Sequence, residues 1–187
     1  EAADRERRIL SYNFVMVMHL RKAFGARAAV AALVLAAAIA TAGCGESLDV
    51  ASELLVTEIT TGWFDSGILE DGKNKLVPTI SFQLTNGAQG EITTVQVNGV
   101  FRRVEENDQE WGNAFVLAIG ADGLPVGDST RPIVMRSRLG YTSDEPRLEM
   151  FQHRLFMDAK VELFAKHHGN PWVKLGEYVI DRQLLTN

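Results

Sequence analysis

The sequence predicts an all-β fold: an immunoglobulin-like sandwich of two antiparallel sheets, with about seven strands and one short helix, preceded by a signal-peptide helix. Three observations carry this expectation. Runs rich in β-branched and aromatic residues, separated by Gly, Asp and Asn, follow one another through residues 53–187. The best of them alternate apolar and polar residues with period two, which gives each strand one apolar face. Helical spacing is confined to one stretch, Glu145–Met157. At 187 residues, 46% hydrophobic and 23% charged, the chain is long enough for one domain plus an appendage. One-sided strands must bury their apolar faces, and with little helix at hand they do so against each other.

The N-terminal segment comes first in chain order. Ala28–Ala40 is an unbroken apolar run preceded by Arg21, Lys22 and Arg27 and followed by Thr41-Ala42-Gly43-Cys44. A membrane-spanning helix needs about 20 residues, whereas a signal-peptide core needs roughly 7–15 between a basic segment and small residues. The run has the second character. Ala42-Gly43 directly before the only Cys resembles the lipobox of bacterial lipoproteins. That resemblance implies cleavage after Gly43 and acyl chains on Cys44; Thr41 departs from the aliphatic residue usual at its place. Gly45, where inner-membrane lipoproteins of enteric bacteria carry Asp, implies the outer membrane, facing the periplasm. Residues 1–17 begin without Met and read as an upstream extension, residues 18–43 as the signal peptide, 44–52 as a lipidated tether and 53–187 as the sandwich domain. Loss of residues 1–43 removes six of 19 Lys+Arg and three of 24 Asp+Glu, leaving 13 basic against 21 acidic residues, near −8. Such a chain repels phosphate backbones, so nucleic acid is excluded as a partner.

Within the domain, Leu54–Phe64 is the first expected strand and Asp65–Asn74 the turn after it. In Val77–Asn86, Ile80, Phe82 and Leu84 share one face, with Thr79, Ser81, Gln83 and Thr85 opposite. In Ile92–Val104, Val95, Val97 and Phe101 form the inner face, and Gly99 among them marks a bend or a close approach. Asn86–Gly90 reads as a hairpin loop joining these two strands. Ala114–Ile119 and Arg131–Arg138 are shorter strands, Pro132 suiting an edge or a strand start. Leu148, Phe151 and Leu155 recur at spacings of three and four, which predicts a helix over Glu145–Met157 with Pro146 in its first turn. Ala159, Val161, Leu163 and Ala165 line one face of Asp158–His167, and Trp172–Leu185 supplies the last strand.

The segment VPTISFQLTNGAQGEITTVQVNGVFR resembles the strand–loop–strand core of periplasmic FxLYD-like domains, in which a Phe-x-Leu strand enters a turn at Asn. The resemblance covers this segment alone and implies an immunoglobulin-like sandwich in an envelope protein.

Signatures of catalysis are sparse. There is no Gly-x-Ser-x-Gly elbow, and the one Cys is assigned to the anchor. Adjacent His167 and His168 precede Gly169 and read as strand end and turn, so no metal and no cofactor is expected. Glu105, Glu106, Asp108 and Glu110 lack the rhythm of a calcium loop and read as an acidic hairpin tip. Trp63, Phe64 and Asp65, at the end of the first strand, are the candidate binding surface, with core packing as the competing role of Trp63. The function expected from the sequence is non-catalytic: a lipid-anchored envelope protein that contacts the membrane through Cys44 and binds or assembles with other envelope proteins. The alternatives are an envelope enzyme of hydrolase type and a carrier of an apolar ligand between the sheets.

Overall fold

The structure, a computed structural model, describes residues 48–104 and 109–185. The segment 1–47, with Gly43, Cys44 and the first four residues of the expected tether, lies outside the described residues, as do Glu105, Glu106 and Asp108. The domain already includes Leu48: α1 (Val50–Glu53) is a single turn whose Val50 is buried, with the Asp49 carboxylate accepting from the Ala51 N–H at its start.

Among the described residues, nine strands form a two-sheet sandwich. β1 (Leu54–Ile68), β2 (Asn74–Asn86), β5 (Ile133–Arg136), β6 (Tyr141–Ser143) and β9 (Leu184–Leu185) make one sheet, in the order β5-β2-β1-β9 with β6 also on β2. β3 (Val95–Arg103), β4 (Glu110–Ile119), β7 (Ala159–His167) and β8 (Val173–Val179) make the other, in the order β4-β3-β7-β8. With β1, β2 and β5 as strands A, B and E, and β3, β4, β7 and β8 as C, C′, F and G, this is immunoglobulin-like order. All pairings are antiparallel except β1 with β9, which is parallel at Trp63–Leu184 and Phe64–Leu185.

The alternating strands place their faces as their sequences require. Ile80, Phe82 and Leu84 of β2, Val95, Val97 and Phe101 of β3, and Val161, Leu163 and Ala165 of β7 are all fully buried between the sheets. Gly99 sits among them because Met135 of the opposite sheet crosses there: a Cβ on Gly99 would lie 3.3 Å from the Met135 methyl. The close approach is therefore by a side chain.

Four expectations are corrected. β1 runs past Asp65 to Ile68, and the turn shrinks to Leu69–Lys73. Asn86–Gly90 is not a hairpin loop, because β2 and β3 belong to different sheets. The buried Asn86 amide instead staples the crossing: its Nδ2 donates to the carbonyls of Gly90 (2.9 Å) and Leu124 (2.8 Å), and its Oδ1 accepts from the Ala88 N–H. The helix over Glu145–Met157 reduces to one turn, α2 (Arg147–Met150). Leu148 and Leu155 of its supposed apolar stripe are exposed, while Met150, Phe151 and Phe156 are buried, so the segment is fixed by three aromatic and Met anchors and not by a helical face. Lastly, Trp172–Leu185 divides into β8 and β9 in opposite sheets.

Candidate contact surface

The sequence-derived candidates at the end of β1 are not free. Trp63 is fully buried, its ring 4.7 Å from Phe156 and 5.8 Å from Trp111, both edge-on. That removes Trp63 as a contact residue. Phe64 is half-buried beneath the Arg136 guanidinium, which lies 3.7 Å above the ring centroid, and Asp65 pairs with Arg147 while accepting from the Gly67 N–H. Trp63, Tyr141, Phe151 and Phe156 together close one end of the sandwich, and Arg182 holds that end by gripping Asp158 and the Phe151 carbonyl.

The exposed aromatics lie elsewhere, on the outer face of the four-stranded sheet. Register places side chains of that face in rows across the strands. One row runs Phe115, Asn98, Phe164, Lys174, and the next Leu117, Gln96, Lys166. Phe115 is 59% exposed and Leu117 56%, and Trp172, at 41%, reaches over to meet Phe115 edge-on at 6.0 Å. The Lys166 ammonium lies 6.0 Å from the Trp172 ring. Nothing in the sequence analysis singled out Phe115 or Leu117. The signal was present in the run Asn113–Ile119, whose outward positions beyond Asn113 are as apolar as its inward ones, although a sheet face in water ought to alternate.

The other half of the same face is an ion-pair network. Glu162 accepts from Arg102 Nε (2.6 Å) and Lys174 Nζ (2.7 Å), and Glu177 accepts from Lys174 (2.8 Å) and lies 3.1 Å from Lys160. The hydrogen bond from Lys174, then that from Arg102, holds the Glu162 carboxyl below the usual glutamate range. A depressed carboxylate pKa stabilises the fold above the ordinary glutamate value of 4.5, and this contribution disappears as the pH falls through the native value. Glu162→Gln should therefore cost about 1 kcal/mol at pH 7, and the gap to the native protein should close in acid. Denaturant titrations at both pH values check this; a gap that persists unchanged in acid would show that the loss is one of packing.

The remaining sequence candidates are also placed. His167 ends β7, and burial followed by the neighbouring His168 charge lowers its pKa; His168 has a positive φ and meets the Thr93 hydroxyl at 3.2 Å. Glu110 opens β4. Among the described residues, no group of three or more His, Cys, Asp or Glu is placed to hold a metal ion, and no helix is long and apolar enough to cross a membrane.

No family model matches the sequence, and no curated protein does. Among solved structures, one described as an ApaA protein from Bordetella pertussis is similar over 70% of this chain and 94% of its own, at 12% identity and a TM-score of 0.39.

Proposed function

We propose that this chain is a lipid-anchored, non-catalytic cell-envelope protein, held at the periplasmic face of the outer membrane, whose FxLYD-like sandwich binds or assembles with other envelope proteins. The observation that carries the binding role is the exposed Phe115–Trp172 pair with Leu117 beside it, on a sheet face whose other half is charged and solvated. Soluble surfaces rarely gather large apolar side chains in one place without a partner to cover them. Trp and Phe framed by polar and charged groups have the composition of a contact core with its rim. Anchoring rests on the order of basic residues, apolar run and Ala42-Gly43-Cys44. Confinement to a membrane surface raises local concentration, so a modest patch suffices.

Two substitutions test the two halves of the proposal. Cys44→Ser should release the protein from the membrane fraction, since a chain this acidic has no polybasic segment to replace acyl chains. Sedimentation of Cys44→Ser with membranes after a salt wash would end the lipoprotein reading. Trp172→Ala should leave the melting temperature within a few degrees of native while removing envelope proteins that co-purify with the native chain. Retention of the same partners by Trp172→Ala would end the assignment of this face.

A further inference from the structure

Among the described residues, β4 is an edge of its sheet, paired with β3 on one side only. Alternate residues of its free edge therefore direct N–H and C=O groups away from the molecule. Sheet edges are usually blunted by Lys, Pro, bulges or shortness, because an open edge templates another strand. The other edges among the described residues show such devices. β8 carries Lys174 and Glu177, and its pairing with β7 is irregular at Leu163–Phe164. β5 has only four residues, follows Pro132 and ends on Arg136. β1 is bulged at Glu58, where φ is +50°, and Gln183 covers it by accepting from the Trp63 N–H and donating to the Thr61 carbonyl.

β4 has bulges only near its ends. At one end Gly112, with φ +117°, packs against Ser137, and at the other the pairing with β3 shifts between Val95 and Gln96. Between them Asn113–Leu117 is regular, contains neither Pro nor a charged residue, and is flanked on the outer face by the exposed Phe115 and Leu117.

We infer that this edge pairs antiparallel with β4 of a second copy of the chain, joining two four-stranded sheets into one of eight. This rests on the reading of the Phe115–Trp172 face as a contact surface and names its partner. The segment is self-complementary about a two-fold axis at Phe115: Asn113 stands opposite Leu117 of the other copy, Ala114 opposite Val116 and Phe115 opposite Phe115, each facing a residue on its own side of the sheet. Glu110, the only charge in β4, lies five residues from that axis, so the two copies' Glu110 are about 33 Å apart at 3.3 Å per residue and do not repel. A partner strand chosen for this edge needs no charge of its own, and an identical β4 meets that condition.

The test uses the full chain carrying Cys44→Ser, which frees it from lipid and leaves it without Cys. It should sediment at the mass of two chains. Adding Phe115→Lys or Leu117→Lys, each at a side chain more than half exposed, should give the mass of one chain with an unchanged melting curve. A sole Cys introduced by Phe115→Cys should cross-link into a covalent dimer on mild oxidation, because facing Cα atoms about 4.5–5.5 Å apart fall within disulfide range. A sole Cys introduced by Val134→Cys, exposed on the other sheet, should not. Sedimentation at one chain's mass throughout a dilution series, or a dimer that survives both Lys substitutions, overturns the inference. A monomeric chain from which Trp172→Ala still removes another envelope protein overturns self-pairing alone and leaves the contact surface standing.

Discussion

Replacing Trp63 by Ala is expected to destabilise the domain by about 3–5 kcal/mol and to lower its melting temperature by roughly 10 °C or more. The side chain is fully buried and packs edge-on against Phe156 and Trp111, so its removal leaves a cavity at the aromatic end of the sandwich that neighbours on three strands and a loop cannot collapse to fill. Among the described residues the indole Nε1 has no acceptor. Trp63→Phe should accordingly lose packing area without breaking a hydrogen bond, and cost clearly less than the Ala variant. Thermal melts of the two variants beside the native protein decide the matter. A near-native melting temperature for Trp63→Ala would mean that this end of the sandwich is not closed as described.

Phe82→Ala should be as damaging, again by about 3–5 kcal/mol, while Gln83→Ala should change stability by about 0.5 kcal/mol or less. Phe82 lies in the central strand of its sheet, paired with Ile133 of β5 on one side and buried against the opposite sheet. Gln83 points the other way, and its backbone carbonyl, which accepts from the Thr57 hydroxyl, is untouched by the substitution. Since a domain of this size is stable by only about 5–15 kcal/mol, the first variant approaches the unfolding threshold and the second does not. Equal small losses at both positions in a denaturant titration would contradict the register of β2.

Three strands show what the sequence makes legible. β3 and β7 throughout, and β2 from Ile80 onward, are buried on one face only, so period-two alternation reports their inward residues directly; in β2 the preceding run Leu76–Ile80 is buried on both faces. β1 resists that reading because of its bulge. Leu54 and Val56 face inward, but the register with β2 slips by one residue between Thr57 and Thr60, so that from Thr61 onward odd-numbered residues face the core. An unbroken strand would have put Trp63 outside; the extra residue at Glu58–Ile59 turns it inside. No pattern of apolar residues announces such a slip, since Thr60, Thr61 and Gly62 are compatible with either face. The hairpin expected at Asn86-Gly87 fails for a related reason. Asn favours turns whether the chain doubles back within a sheet or crosses to another, and the carbonyls of Gly90 and Leu124 that claim its amide are known only once the fold is formed. The contact surface was not legible: Trp172 stands at the start of the last expected strand, and its neighbour Phe115 in β4 is far away in sequence and adjacent only in three dimensions.

The parallel pairing of β9 with β1 sets an order of events. The Trp63 N–H donates to the Gln183 carbonyl, and the Gln183 side chain reaches back to Thr61 across 122 residues of sequence. The open edge of β1 is thus completed by residues more than a hundred positions further along the chain. A chain emerging N-terminus first has β1 and β2 in hand early, yet must carry that edge uncovered until β9 arrives. Closing so long a loop is slow compared with local pairing, because its entropy cost comes before any of its contacts form. Until then the nascent domain is open to non-native strand pairing along the uncovered edge of β1.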